Sequence, residues 1–181
     1  MTNRLFFAYD LPLSAIDFIV NLRDEIYGIP NNVNWESSDK LHITSKFLGD
    51  VGDYLTELII DRFENFNAET INCEFGEFNI FKKYNEPKIL FAGIRSSELS
   101  TNIQIKIENE FGLLGFDREI RNFKPHITIL RIKGMEDFNI LDKFVNKKID
   151  HSFKINTVSL IKSELKPSGS EYTILKSFKL N

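Results

Sequence analysis

The sequence predicts an α+β protein built from two similar halves, each with elements in the order β-α-β-α-β-β. Three observations lead to this fold class. Runs rich in aromatic and β-branched residues alternate with segments of helical periodicity along the whole chain. Two stretches recur at an offset of 84 residues. A length of 181 residues with 42% apolar residues suits one globular unit with a substantial core.

Each element is predicted from the spacing of its apolar residues and from the turn residues that bound it. The predicted strands cover residues 4–9, 41–48, 71–75, 78–81, 88–94, 126–133, 153–165 and 172–180. The predicted helices run from Ser14, as N-cap, to Gly28 and Pro30, and over residues 55–66, 99–111 and 140–145. Turns are predicted at Gly49-Asp50 and at Pro167-Ser168-Gly169.

An internal repeat relates the two halves. His42-Ile43-Thr44 recurs as His126-Ile127-Thr128, and the same offset places residues 4–8 (RLFFA) on residues 88–92 (KILFA). Two matches at one offset indicate a duplication, with halves near residues 1–87 and 88–181. We therefore expect a single bilobed domain over residues 1–181, with two antiparallel sheets facing a central cleft and helices outside. A lobe that takes strands from the other half is compatible with this pattern.

Composition narrows the class of protein. The lone Cys73 excludes an internal disulfide and a cysteine-rich zinc site, which fits a reducing compartment. No run approaches the roughly 20 apolar residues of a membrane span, so we expect a cytoplasmic protein without membrane association.

Charge is unevenly distributed along the chain. Residues 1–87 hold 7 Lys/Arg and 15 Asp/Glu, whereas residues 88–181 hold 16 and 11, giving charges of −8 and +5. This asymmetry indicates an anionic partner near the second half, or simply solvated surface charge. Nothing in the sequence argues for more than a monomer.

Two His/Thr pairs are the candidate functional residues. The chain has only three histidines and eight threonines, yet two of the histidines have threonine two residues later. Alternation in a strand puts His42 and Thr44 on one face, and likewise His126 and Thr128. If the duplication forms a pseudo-twofold, the two pairs face each other.

Such an arrangement suits acid-base chemistry at an anionic phosphorus centre. Imidazole titrates near pH 6.5, so one ring can accept a proton while the other donates one. Threonine hydroxyls can donate hydrogen bonds to an anion between them. In-line attack on phosphorus, with an oxygen leaving on the opposite side, uses this symmetry, and no metal or other cofactor is required.

The motifs resemble those of a known family. The segments 41–49 (LHITSKFLG) and 123–131 (FKPHITILR) are similar to the two signatures of the 2H phosphoesterase superfamily. The N-terminal segment 4–12 (RLFFAYDLP), Trp35 and the C-terminal hairpin resemble its RNA 2′,3′-cyclic phosphodiesterase branch, also described as 2′-5′ RNA ligases. The resemblance covers nearly the whole chain.

The resemblance implies hydrolysis of an RNA-terminal 2′,3′-cyclic phosphate to a 2′-phosphomonoester, so the expected substrates are RNA 3′ ends or cyclic nucleotides. It assigns His126 as general base and His42 as general acid, and it places Thr44 and Thr128 on the phosphoryl oxygens. It also makes Arg131 a phosphate ligand. Strict alternation puts Arg131 on the face opposite His126, so this role requires a bulge or a strand end nearby.

This chain departs from the family pattern at two positions. Ser45 stands where leucine is common, and Leu130 where a small residue is common. Ser45 is predicted on the back of its strand, where the change affects packing more than chemistry.

Other interpretations remain open at this level. Two histidines can bind Zn²⁺, although threonines are poor zinc ligands, and the threonines can be simple strand formers. The same site can also serve 2′-5′ RNA ligation, or a non-catalytic module that binds RNA ends or nucleotides. His151 is predicted to be a packed residue. One or two aromatic residues are expected to stack on a terminal base, without an assignment to a position.

Overall fold

The computed structural model describes residues 2–28, 33–133, 136, 141–167 and 169–181. Within these ranges the strands are β1 (Thr2–Asp10), β2 (His42–Gly52), β3 (Ile71–Lys83), β4 (Glu86–Arg95), β5 (His126–Arg131), β6 (Ser152–Ile155), β7 (Thr157–Lys166) and β8 (Gly169–Lys179). The helices are α1 (Leu13–Tyr27), α2 (Asp53–Glu64) and α3 (Gln104–Leu113). A 3₁₀ turn covers Ser38–Lys40, and a π-helical stretch over Leu99–Ile103 leads into α3.

The strands form one sheet in the order β6-β3-β4-β5-β2-β1-β7-β8, and every neighbouring pair is antiparallel. The α+β class is thus observed, but the expected two separate sheets are not. The physical reason is that β2 and β5 pair with each other through Ile43 and Ile127, which joins β6-β3-β4-β5 and β2-β1-β7-β8 into one sheet.

The sheet is strongly curled. Asn156 alone separates β6 from β7 in the chain, yet five strands lie between them in the sheet. Two strands joined by a single residue must have adjacent ends, so the sheet has to bend round until they meet. The Leu180 amide donates to the Asn156 carbonyl at 2.8 Å, which ties the end of the chain to the same point.

Strand exchange between the halves is visible in the pairing. β3, from the first half, pairs with β4 of the second half, and β7, from the second, pairs with β1 of the first. Counting outward from the central β2/β5 pair, the next strands are β1 and β4, which the 84-residue offset also relates. The duplication itself stays a prediction.

The main core lies between the helices and one face of the sheet. Alternation in β1 sends Phe7 to this face, where its ring packs against Phe63 of α2 at 4.5 Å and Phe111 of α3 at 5.3 Å. Phe6 and Ala8 point to the opposite face and form a small second cluster with Ile161. Within the described ranges, no helix has the length and apolar character needed to cross a membrane.

Several predicted boundaries are wrong, each for a local reason. Helix α1 begins at Leu13 and the Pro12 carbonyl accepts from its first turn, so Ser14 lies inside the helix and does not cap it. The turn at Gly49-Asp50 is instead strand, because β1 pairs with both residues; Gly49 accommodates the bulge with φ +73°.

The remaining differences concern element number. The predicted strands 71–75 and 78–81 are one strand, β3, whose pairing with β4 is irregular between Phe75 and Phe78. The predicted strand 153–165 is divided at Asn156. Of the predicted fourth helix, residue 140 lies outside the described residues, Leu141 is helical and residues 142–146 form turns; Leu141 and Phe144 are buried. Pro30 and Ser168, from two predicted chain reversals, also lie outside the described residues.

Candidate active site

The two H-x-T motifs lie side by side in the centre of the sheet. Ile43 of β2 pairs with Ile127 of β5, and both side chains are fully buried in the main core. The neighbours of each isoleucine therefore point to the opposite face. Because the pair is antiparallel, His42 lies on the same side of it as Thr128, and Thr44 on the same side as His126. We call the surface formed by His42, Thr44, His126 and Thr128 the histidine face.

Both imidazoles are held in the same tautomer. Nδ1 of His42 contacts the Lys40 carbonyl oxygen at 2.7 Å, and Nδ1 of His126 contacts the Lys124 carbonyl oxygen at 2.7 Å. A carbonyl oxygen can only accept, so Nδ1 donates in each ring. Each neutral imidazole therefore keeps its lone pair on Nε2, where it can accept a proton.

The Thr44 hydroxyl forms a hydrogen bond with Nε2 of His42, the ring nitrogen that carries no proton in the neutral tautomer. Nε2 of His42 lies 3.0 Å from Thr44 Oγ1, and in the neutral tautomer the hydroxyl donates to this nitrogen. When His42 gains a proton at Nε2, the ring becomes the donor and the Thr44 hydroxyl proton is released for another acceptor. Protonation of His42 and hydrogen bonding by Thr44 are thus coupled.

Aromatic rings pack against both histidines, which are partly buried. His42 packs against Phe6 at 5.0 Å and edge-on to Tyr172 at 5.6 Å. His126 lies edge-on to Phe81 at 5.0 Å and to Phe91 at 5.4 Å. Phe81 and Phe91 stack on each other at 4.0 Å, which fixes the surface against which His126 rests.

This burial makes both rings less basic. Desolvation lowers the pKa of His42 to about 4; the hydrogen bond to Lys40 opposes this, and the positive charges of Arg131 and His126 add to it. Burial also lowers the pKa of His126, opposed by the hydrogen bond to Lys124 and increased by the charge of Arg131. Both rings are therefore neutral at pH 7 in the free protein. The positive charge of Arg131 thus lowers the pKa of both histidines.

A bulge brings Arg131 to the histidine face. In the β4/β5 ladder Phe91 pairs with Thr128 but Leu90 pairs with Leu130, so Ile129 is an extra residue. Ile129 and Leu130 both point into the main core, and alternation then resumes with Arg131 on the opposite face. A phosphate-binding role for Arg131 required a bulge or a strand end nearby, and the backbone of β5 has such a bulge at Ile129.

Glu36 holds Arg131. Its Oε1 accepts from Arg131 Nε at 3.0 Å, and the Glu36 side chain is 18% exposed while that of Arg131 is 54% exposed. The Glu36 amide donates to the carbonyl of the bulged Ile129 at 3.0 Å, and Trp35 bridges to Leu130. This segment thus fixes the bulge and the guanidinium together. Sequence reasoning missed Glu36, because nothing in the spacing places it beside β5.

Phe47 is a second residue that sequence reasoning missed. The β1/β2 ladder skips Ser45, so Lys46 points to the core side and Phe47 returns to the histidine face, 74% exposed and 6.1 Å from Phe6. The 84-residue offset relates Phe47 to Arg131, and both follow a bulge directly after the motif threonine. That offset is the signal that could have found it.

Helix α3 supports the bulge in β2. Ser45 Oγ donates to Gln104 Oε1 at 2.9 Å, and the Gln104 amide donates to the Ser45 carbonyl at 3.1 Å. Lys46 Nζ donates to Glu108 Oε2 at 2.8 Å, in a pair that is nearly buried. Ser45 therefore lies on the back of the strand as predicted, where it packs against α3.

His151, the third histidine, is packed away from these residues. Its ring stacks on Phe18 at 4.1 Å, and its Nε2 has no hydrogen-bond partner among the described residues. The interpretation of His151 as a packing residue is confirmed.

Fold and site together define a class: an α+β protein with one curled antiparallel sheet and paired histidines on its two central strands. A sequence model of the 2′-5′ RNA ligase superfamily matches residues 33–167. The chain belongs to this superfamily, the 2H phosphoesterases, as the motifs indicated.

Named relatives match along nearly the whole chain. The RNA 2′,3′-cyclic phosphodiesterase of Methanothermobacter thermautotrophicus is 28% identical, covering 99% of this chain and 100% of the relative. The RNA 2′,3′-cyclic phosphodiesterase of Methanocaldococcus jannaschii is 26% identical, covering 97% and 99%.

Solved structures share the fold. Escherichia coli LigT complexed with 3′-AMP has a TM-score of 0.76 at 22% identity, covering 100% of this chain and 99% of LigT. A protein of Thermus thermophilus has a TM-score of 0.81 at 21% identity, covering 97% of both chains.

Proposed function

We propose that this protein hydrolyses RNA-terminal 2′,3′-cyclic phosphates to 2′-phosphomonoesters by two-histidine acid-base catalysis without a metal ion. The observation that carries this proposal is the central β2/β5 pair, where His42 and His126 present proton-accepting Nε2 atoms on one face with the two threonines and Arg131. The names of the relatives support the same substrate class.

His126 acts as general base. Its Nε2 takes a proton from water as the water oxygen forms its bond to phosphorus. The carbonyl of Lys124 holds Nδ1–H and stabilises the charge that develops on the ring. The lowered pKa keeps Nε2 free of a proton above weakly acidic pH, as a base requires.

His42 acts as general acid. The O3′–P bond breaks as His42 Nε2–H donates its proton to O3′, which leaves the phosphate on the 2′ oxygen. In the free protein His42 is neutral at pH 7, so substrate binding has to raise its pKa. An anion within a few ångströms favours the charged imidazolium in this way. Protonation also frees the Thr44 hydroxyl to donate to a phosphoryl oxygen.

Arg131 and Thr128 complete the phosphate site. The Arg131 Nε is occupied by Glu36, which leaves the terminal Nη groups to contact non-bridging oxygens. Such donors stabilise the charge on the phosphoryl group as the fifth bond forms. Phe47, exposed on the same face, offers its ring to the terminal base.

The test is an RNA oligonucleotide ending in a 2′,3′-cyclic phosphate, incubated with the protein in the presence of EDTA. The expected product carries a 2′-monophosphate, identified by chromatography against 2′- and 3′-phosphate standards. The matched control is the double variant His42→Ala/His126→Ala, with its melting temperature measured to show that it folds.

Other outcomes identify other functions. Loss of activity in EDTA with recovery on Zn²⁺ addition would contradict the metal-free mechanism. Joined product, when an RNA with a 5′-hydroxyl is added, would indicate 2′-5′ ligation. Binding of a 2′-phosphate nucleotide, weakened by salt and without hydrolysis, would indicate a non-catalytic module.

A further inference from the structure

Glu36 reduces the net positive charge of the phosphate site. Arg131 is the cation of this site, and the carboxylate that contacts it lies 3.0 Å from Nε. Glu36 is mostly buried and is anchored through its amide to Ile129, so its position relative to Arg131 does not depend on a flexible side chain alone. The formal charges of Arg131 and Glu36 therefore sum to zero before any ligand binds.

The substrate and product of the proposed reaction differ in charge at this phosphate. A cyclic phosphodiester carries one negative charge at any pH near neutral. A phosphomonoester has a second pKa near 6, so the product carries about two charges at pH 8. A site with little net positive charge interacts less favourably with the dianion than an unpaired arginine would.

We propose that Glu36 is a specificity-determining residue that makes the phosphate site accept the monoanionic cyclic diester and release the dianionic monoester. This inference rests on the proposed function for its biological meaning, but not for its test. Glu36 holds Arg131 with Nη groups free for the phosphoryl oxygens, and its charge offsets the attraction that would retain the product.

Coulomb energy is linear in ligand charge, which gives the proposal a quantitative signature. If Glu36→Gln tightens binding of a monoanion about threefold, it tightens binding of the matching dianion about ninefold, because the free energy doubles. Glutamine keeps a side-chain oxygen that can accept from Nε, so the orientation of Arg131 is retained. A residue with only a structural role would change both affinities by the same factor.

The experiment is calorimetric titration at pH 8 with two ligands that differ by one charge: adenosine 2′-monophosphate and its phosphate monomethyl ester. Wild-type protein is expected to bind the dianion no more than about threefold more tightly than the ester. Glu36→Gln is expected to increase the preference for the dianion by about threefold. The matched control is Glu119→Gln, which removes the carboxylate of the exposed Arg121–Glu119 pair and leaves both affinities unchanged.

The remaining outcomes overturn the proposal. Equal gains, equal losses or no change for the two ligands in Glu36→Gln would show that Glu36 does not select by charge. A strong preference of the wild-type protein for the dianion would do the same, even if the variant failed to fold. Absence of binding of either ligand to the wild-type protein would also overturn it. Discrimination in binding without hydrolysis of cyclic phosphate would instead refute the proposed function and leave the role of Glu36 standing.

Discussion

Ile43 of β2 and Ile127 of β5 pair directly, and this contact joins the two four-stranded parts of the sheet, β6-β3-β4-β5 and β2-β1-β7-β8. Both side chains are fully buried in the main core. The pair therefore does two things at once: it fixes the register of the motif strands, and it turns the histidines and threonines to the opposite face. Apolar packing behind the sheet thus sets the geometry of the polar groups in front of it.

Removing either imidazole is expected to remove catalysis. His42→Ala or His126→Ala should lower turnover of a cyclic-phosphate-ended RNA by at least about 10²-fold, the scale of one general acid or base. The measurement is kcat at saturating substrate. His151→Leu is the matched control, because it replaces a packed histidine with a side chain suited to the rings around it. Near-normal turnover in both motif variants would contradict the mechanism.

The pH profiles of kcat/KM and kcat are expected to have different maxima, because the first reports the free protein and the second reports the substrate complex. Burial lowers the pKa of His42 from 6.5 to about 4 and also lowers that of His126, so kcat/KM should be bell-shaped with its maximum below pH 6.5. The profile of kcat reports the complex, in which the bound anion raises both pKa values. Its maximum should therefore lie at higher pH. A kcat/KM that still rises above pH 7.5 would refute these roles.

Phe47 is expected to contribute to substrate recognition by stacking on the terminal nucleobase. Phe47→Ala should lower kcat/KM by at least about fivefold, since a base–aromatic stack contributes about 1–3 kcal/mol. The control is Tyr54→Ala on α2, because Tyr54 is 76% exposed and Phe47 is 74% exposed. A substrate whose terminal nucleotide lacks its base should be insensitive to the Phe47 substitution. Equal sensitivity with and without the base would assign Phe47 a different role.

Gln104 is expected to stabilise the fold beneath the site. Its Oε1 accepts from the buried Tyr9 hydroxyl at 3.0 Å and from Ser45 at 2.9 Å. Gln104→Leu leaves both hydroxyls without this acceptor and should cost about 2–4 kcal/mol in the free energy of unfolding. Urea denaturation measures this loss. Adding Tyr9→Phe should recover part of it, because the unpaired hydroxyl is removed; a further additive loss would argue against this hydrogen-bond network.

The sequence was sufficient for the parts of the site that depend on local periodicity. Strand alternation placed His42 with Thr44 and His126 with Thr128, and the single offset of 84 residues related the motifs. The element types followed from apolar spacing, and the superfamily followed from the motifs. These properties need only neighbours along the chain, so they can be read without knowledge of the fold.

Other properties of the site depend on contacts between distant segments, and only the tertiary structure decided them. Bulges shift a strand by one residue, and those after Thr44 and Thr128 turned Phe47 and Arg131 to the histidine face against strict alternation. Glu36 reaches Arg131 across 95 positions in the chain. The lowered pKa values come from aromatic rings on four other strands, and the single sheet comes from the pairing of β2 with β5. Register, burial and charge pairing are properties of the packed chain, because each is set by which distant residue occupies the neighbouring space.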